Sequence, residues 1–299
     1  MIEDFVLTYF LQQFINGLGW GSVLAMMSAG YTMTFGLIGL VNFAHGEVMM
    51  VGAMSAYLLT FIWKMPFWTG CLAALCGAMA IGLFIERIAF KPLRGAGMIT
   101  LFITSLAASF GIRTLFIMLF TDKLKKFPVP AALKGAFMFG EIILFKKTVV
   151  ILVVTLLIGA VLFYFVKKTK TGAAMRAMSY DSEITATMGV NTERVIIITF
   201  MISSFLAGVA ALFWGIKFGS VRCSMGVIIV VDAFIASVLG GIGNVPGAIV
   251  AGYMIGIGEA LFVGFLPPDL VGLRPLFVWI LFFILLIFRP SGLFRANIK

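Results

Sequence analysis

Charge is what this chain has least of. Only 11% of its 299 residues are Asp, Glu, Lys or Arg, 62% are hydrophobic, and the mean hydropathy is +1.14. Water-soluble domains carry about a quarter charged residues. So little charge does not cover the surface of a water-soluble fold of this length, whereas lipid solvates apolar side chains directly. The single histidine, His45, excludes a multi-histidine metal site. Three cysteines (Cys71, Cys76 and Cys223) without C-x-x-C spacing give neither a disulfide framework nor a zinc site. There is no G-x-x-x-x-G-K-[ST] loop, so the chain has no phosphate-cradling nucleotide site of that type. No cofactor or metal is expected, and no nucleophile–base set appears. Met-Ile-Glu-Asp-Phe at the start lacks the basic lead of a signal peptide, so the first apolar run is expected to stay as a helix.

What the chain has is long apolar runs. A spanning helix needs about 20 mostly apolar residues. Candidates lie near 8–35, 47–63, 67–90, 98–120, 148–166, 195–216, 232–264 and 275–289. Membrane-barrel strands are about half that length and alternate strictly, which these runs do not. The expected fold is an all-α polytopic membrane protein, one domain over 1–299, with about eight transmembrane segments. The net charge of +10 sits in clusters between the apolar runs, as in loops beside a membrane. Membrane lipid, not nucleic acid, is the expected partner of that charge.

Two stretches break the pattern. One runs Gly36-Leu37-Ile38-Gly39-Leu40-Val41-Asn42-Phe43-Ala44-His45-Gly46-Glu47, the other Leu239-Gly240-Gly241-Ile242-Gly243-Asn244-Val245-Pro246-Gly247. Each interrupts a long apolar segment and is followed by a small-residue helix. Matching breaks in two halves suggest an internal pseudo-repeat with two broken or re-entrant helices, and they point to a translocation path. Asn42, His45, Glu47, Gly241, Gly243 and Asn244 are its candidate residues. The alternative is a pair of ordinary loops at the membrane surface. Gly241-x-Gly243-x-x-x-Gly247 comes near a dinucleotide fingerprint, but Pro246 and apolar surroundings speak against it.

Intramembrane ionisable groups are costly and often functional. Glu47, Arg113, Asp232 and Glu259 qualify. Glu47 would open a new helix, where the dipole favours a carboxylate, and Asn42 would satisfy free amides there. Both residues admit a structural or a substrate-contacting role. His45 would pack or hydrogen-bond, or relay protons. Glu259 would sit hydrated near an outer interface. Gly252-x-x-x-Gly256 permits close helix approach, within the chain or between subunits.

Residues 171–191 are helix-friendly and mixed in charge, and are expected to form one short helix ending at Gly189. Arg176, Asp181 and Glu183 make it polar enough for water, and Ala174, Met178 and Ala186 leave patches that would dock into a groove. The basic residues, with Arg295 and Lys299 placed beside 167–194, divide almost evenly between the two sides. The positive-inside rule therefore does not orient the chain. Alternate crossings make 232–264 begin and end on the same face, as a re-entrant or hairpin-like element.

Three ordered motifs carry a resemblance over nearly the whole chain. Tyr31-Thr32-Met33 with Asn42-Phe43-Ala44-His45-Gly46-Glu47, then Met188-Gly189-Val190-Asn191-Thr192-Glu193-Arg194, then Val238-Leu239-Gly240-Gly241-Ile242-Gly243-Asn244-Val245-Pro246-Gly247-Ala248 resemble the permease family of branched-chain amino-acid ABC importers, its LivH-type subunit most. The resemblance implies that 172–190 is the cytoplasmic coupling segment, with Arg176, Asp181, Glu183 and Gly189 as ATPase-coupling candidates. It implies a second, homologous permease, two ATP-binding subunits, a periplasmic substrate-binding protein and a place in the bacterial inner membrane. Branched-chain amino acids are the substrate it implies first, with urea and short amides open. The chain itself would be no enzyme. The rival from another class is an ion-coupled secondary transporter or channel with Glu47 as coupling carboxylate; a polytopic membrane enzyme is a weaker third.

Overall fold

The computed structural model describes residues 2–39, 41–289 and 292–294; Leu40, Arg295 and Lys299 lie outside the described residues. Helix dominates because a chain in lipid must satisfy its backbone groups internally. In chain order the helices are α1 (Ile2–Ile38), α2 (His45–Tyr57, prolonged by a π-helical turn Leu58–Ile62), α3 (Phe67–Ile85, prolonged to Leu93), α4 (Met98–Phe120), α5 (Lys146–Lys168), α6 (Lys170–Tyr180), α7 (Ser182–Thr187), α8 (Thr192–Phe218), α9 (Met225–Gly240), α10 (Val245–Phe265) and α11 (Arg274–Phe288). Six of these runs are long and apolar enough to cross a membrane: α2, α3, α4, α5, α8 and α10, the first two with their prolongations.

The polar stretch 121–147 is not all loop. Strand β1 (Lys125–Lys126) pairs antiparallel with β4 (Ser220–Val221) just after α8, and β2 (Ala136–Phe139) pairs with β3 (Ile142–Phe145) as a hairpin. Gly140, at φ +62°, makes the hairpin turn. Gln12 of α1 holds β3 through its side chain, donating to the Ile143 carbonyl and accepting from the Ile143 amide. The hairpin therefore marks one end of the bundle, with the start of α1; α6 and α7 mark the other.

Burial runs opposite to that of a soluble protein. In α4 the buried residues are Ser105 and Ser109, while Ile99 and Met118 point outward at 75% and 77% exposure. Lipid accepts the apolar face, and the hydroxyls turn inward to protein partners. The core is built from α1, α2, α8, α9 and α10. Between α1 and α10 the contact is backbone against backbone. A Cβ on Gly256 would lie 2.3 Å from the Gly21 Cα, and one on Gly252 would lie 2.6 Å from the Ala25 nitrogen. The Gly252-x-x-x-Gly256 motif thus packs helices inside the chain.

Two expectations need correction, and one is met. The 171–191 stretch is two helices, because the Asp181 backbone is extended (φ −156°, ψ 113°) and its carboxylate caps α7, accepting from the Glu183 and Ile184 amides at 2.8 and 2.9 Å. The 232–264 element is hairpin-like, as expected: two helices, α9 starting at Met225 and α10 at Val245, joined by a tight turn. It starts and finishes on the hairpin side, as parity required, because the turn between the helices sits beside α6. Asn42 does not cap α2: Ala44 holds the N-cap position with helical backbone, and no side chain bonds the free amides.

Candidate functional site

The first interruption returns the chain into the bundle. Gly39 (φ +69°) ends α1 in the left-handed conformation that glycine adopts without Cβ strain. The following segment runs back alongside α1, so that α2 begins beside Gly30, roughly 12 Å short of the α1 end by helical rise. A Cβ on Gly30 would lie 3.0 Å from His45 Nε2, so only glycine lets the imidazole rest on the helix backbone. Ser105 of α4 pins the returning strand: its hydroxyl lies 3.1 Å from the Val41 carbonyl and accepts from the Phe43 amide at 3.4 Å.

The head of α2 is polar and buried. His45 Nδ1 is 3.5 Å from the Ser203 hydroxyl, which donates to the Gly30 carbonyl at 2.8 Å. The Tyr31 ring meets the imidazole edge-on, centroids 6.0 Å apart. Glu47 lies in the first turn of α2, as its position in the sequence suggested, and accepts from Ser109 at 3.1 Å. Arg113, one turn further along α4, lies over the Phe110 ring, its charge acting on Glu47 without an ion pair between them.

This cluster is under-satisfied. Among the described residues, the buried side-chain polar atoms without a hydrogen-bond partner are Tyr31 Oη, Asn42 Oδ1, His45 Nε2, Glu47 Oε2 and Glu86 Oε2, the last lying 3.9 Å from Arg87 Nε. Four of those five atoms are at the α1–α2 junction, although nine in ten buried polar groups in proteins are paired. Asn42, His45, Ser203 and Ser204 line one enclosed crevice, with no space in it for a water. Helices α2, α3 and α8 close on one another there, and the Ser203 hydroxyl ties α8 to the Gly30 carbonyl of α1.

The second interruption lies elsewhere. Gly241 (φ +92°) and Gly243 (φ +80°) make the turn, and Asn244 caps α10 by accepting from the Gly247 amide at 3.1 Å. The turn is anchored on two sides. Asn244 donates to the Phe294 carbonyl at 2.6 Å, and the Gly243 amide donates to Thr32 Oγ1 at 3.0 Å. A Cβ on Gly36 would lie 2.4 Å from the Gly243 Cα. A small groove of ≈ 50 Å³ opens here, lined by Thr32 and Gly36 of α1, Arg176 and Ser179 of α6, Thr199 of α8, and Gly243. Asn42, His45 and Glu47 therefore stand together, whereas Gly241, Gly243 and Asn244 stand beside α6. The two groups are joined by α1, on which Tyr31 faces one and Thr32 the other.

Of the coupling candidates, Arg176 donates to the Val166 carbonyl at the end of α5 and borders the groove. Glu183 is exposed, and Gly189 (φ +83°) terminates α7. Asn191 caps α8 by accepting from the Arg194 amide at 2.9 Å. Lys91 and Arg94, beyond α3, pair with Glu193 and with buried Glu86 and tie that loop to the start of α8. Glu259 is buried, not hydrated: Trp20 Nε1 and Arg274 both donate to its Oε2, the latter at 2.8 Å. Asp232 is buried on α9. Sequence reasoning missed Ser203, Ser109 and Tyr31 as neighbours of His45 and Glu47. Their signal, a lone hydroxyl in an apolar run, is shared by many residues that only bond the preceding helical turn, as Ser55 and Thr60 do.

Residues 13–288 match the family described as branched-chain amino acid transport system, permease component. The chain is 34% identical over 300 residues to the high-affinity branched-chain amino acid transport system permease protein BraD of Pseudomonas aeruginosa, covering 95% of each. It is 33% identical over 306 residues to the permease protein LivH of the same kind of system in Escherichia coli K12, covering 98% of this chain and 97% of that one. Among solved structures, an inward-facing metal-chelate-type ABC transporter superposes with TM-score 0.55 at 16% identity over 93% of this chain and 85% of that one. The PsaBC complex of Streptococcus pneumoniae superposes with TM-score 0.51 at 16% identity over 100% and 99%. Those two likenesses speak to the fold. A full-length match to the family model and a third of the residues shared with its transport permeases place this chain in the branched-chain amino acid ABC transporter permease family.

Proposed function

We propose that the chain is the membrane-spanning permease subunit of an ATP-driven importer in a bacterial inner membrane, and that it moves branched-chain or closely related amino acids. Its partners are a second, homologous permease, two ATP-binding subunits that dock on α6 and α7, and a periplasmic substrate-binding protein on the hairpin side. Covalent chemistry is left to the ATP-binding subunits.

One observation carries the mechanism: α1 borders both the polar cluster at the head of α2, through Tyr31, and the groove at α6, through Thr32 and Gly36. When α1, α2 and α8 are closed, the Tyr31 hydroxyl and the His45 ring are met only by the backbone of Asn42 and Met27, and Asn42 Oδ1 has no hydrogen-bond partner, which costs about 1–3 kcal/mol. Parting the helices lets water or substrate pair them, so the closed constriction is poised to open. Movement of α6 reaches Gly243 through the groove, and Gly243 reaches α1 through Thr32 and Gly36. ATP-driven displacement of the coupling segment is thereby transmitted to the constriction without a chemical step in this chain.

Proteoliposomes containing the assembled transporter and its binding protein test the proposal. Leucine uptake should require ATP, and Gly243→Leu should stop it while the permease remains in the membrane at normal level. Uptake that persists without the ATP-binding subunits would instead support an ion-coupled carrier working through Glu47. Uptake of urea in preference to leucine would move the substrate within the family.

A further inference from the structure

An apolar cleft bordered by the described helices lies away from the path. It measures ≈ 270 Å³ and opens between α9, α10 and α11. Leu239, Ala251, Met254, Leu281 and Leu293 line it, as does Arg289, just past the end of α11. Nothing else in the lining is charged. Arg289 is exposed, and among the described residues no carboxylate pairs with it.

We propose that this cleft binds an anionic phospholipid, with acyl chain against the leucine walls and phosphate on Arg289. The occupant is argued from chemistry at both ends. An open apolar cleft in a lipid-facing bundle meets acyl chains before anything else, and α11 presents Trp279, Phe283 and Ile287 outward beside it. The guanidinium supplies a planar fork of donors that matches a phosphate, and basic pockets between membrane helices take anionic headgroups. An amino acid or a peptide would leave its second charge against leucine.

The position gives the lipid a structural consequence. The Leu293 amide donates to the Leu239 carbonyl at 2.8 Å, and both residues line the cleft. Phe294, next in sequence, accepts from Asn244 in the α9–α10 turn. A lipid seated here braces the turn that borders α6, on the same side of the bundle as the coupling segment.

Native mass spectrometry of the intact transporter, delipidated and then titrated with phosphatidylglycerol or phosphatidylcholine of identical acyl chains, tests the site. Phosphatidylglycerol should be retained in preference. Arg289→Gln should weaken its retention roughly tenfold, the loss expected for one charge-assisted contact, and leave phosphatidylcholine unchanged. Met254→Trp, which fills the cleft from its half-exposed rim, should reduce retention of both lipids without altering assembly. Equal retention of the two lipids by the native chain, or phosphatidylglycerol retention unaffected by either substitution, overturns the proposal. Neither result bears on ATP-dependent uptake, so it stands or falls apart from the transport function.

Discussion

Gly46 and Gly226 touch backbone to backbone, one in the first turn of α2 and the other in the first turn of α9. A Cβ on either would lie 2.3 Å from the other's carbonyl oxygen. The helix that carries the polar cluster and the helix that leads to the second turn are thus held together where both begin.

Neither glycine tolerates alanine. The intruding methyl meets backbone, which does not rotate away, so Gly46→Ala and Gly226→Ala should each cost ~1–3 kcal/mol or more by overpacking. Gly39→Ala is the contrast, since nothing lies within 4 Å of its Cβ position and only the positive φ opposes it. It should cost ~1–2 kcal/mol. Thermal unfolding of the purified transporter in detergent orders the three variants; a Gly46→Ala protein as stable as the native one would contradict the packing.

Asp181 combines two duties that one substitution does not separate. Its carboxylate caps α7, and its charge faces the side on which the ATP-binding subunits would sit. Asp181→Asn keeps the cap and removes the charge. Asp181→Ala removes both and should cost ~1 kcal/mol of local helix stability. Co-purification of the ATP-binding subunits should fall with alanine. If asparagine binds them as well as the native chain does, the role of Asp181 is the cap, and exposed Glu183 is the side chain whose reversal to Lys should weaken docking.

Glu259 accepts from both Trp20 and Arg274, and so joins α1, α10 and α11. Glu259→Gln keeps an acceptor for the indole and should be mild. Glu259→Ala leaves a buried Trp20 donor without a partner and should cost ~1–3 kcal/mol. Arg274 contributes little to that loss, because its side chain is 37% exposed. The loss should appear as a lower melting temperature with unchanged substrate affinity of the binding protein; altered transport at native stability would instead make Glu259 part of the path.

The local signals in the chain were legible where one residue type decides one conformation. Gly189 ends α7, Glu47 opens α2, and the glycines at 241 and 243 turn the chain, each as expected from backbone sterics or the helix dipole. Asp181 was misread because a mixed-charge run has good helix propensity on both sides of it. Whether its carboxylate faces solvent or folds back on amides two and three residues on is a choice of backbone angle at one position. Asn42 was misread for the opposite reason. It sits where a cap belongs by spacing, but packing of the returning strand against Ser105 puts Ala44 at the helix start.

The scarcity of charge and the length of the apolar runs were enough to make this an α-helical membrane protein, because lipid leaves a backbone few other ways to satisfy its hydrogen bonds. The ordered motifs were enough to suggest its family. Only the tertiary structure separated the two interruptions, placing His45 in a closed polar cluster inside the bundle and Gly243 in a groove beside α6. That separation depends on which helices lie against each other, and the small residues that allow those contacts, Gly36 with Gly243 and Gly46 with Gly226, are far apart in sequence and resemble every other glycine in an apolar run.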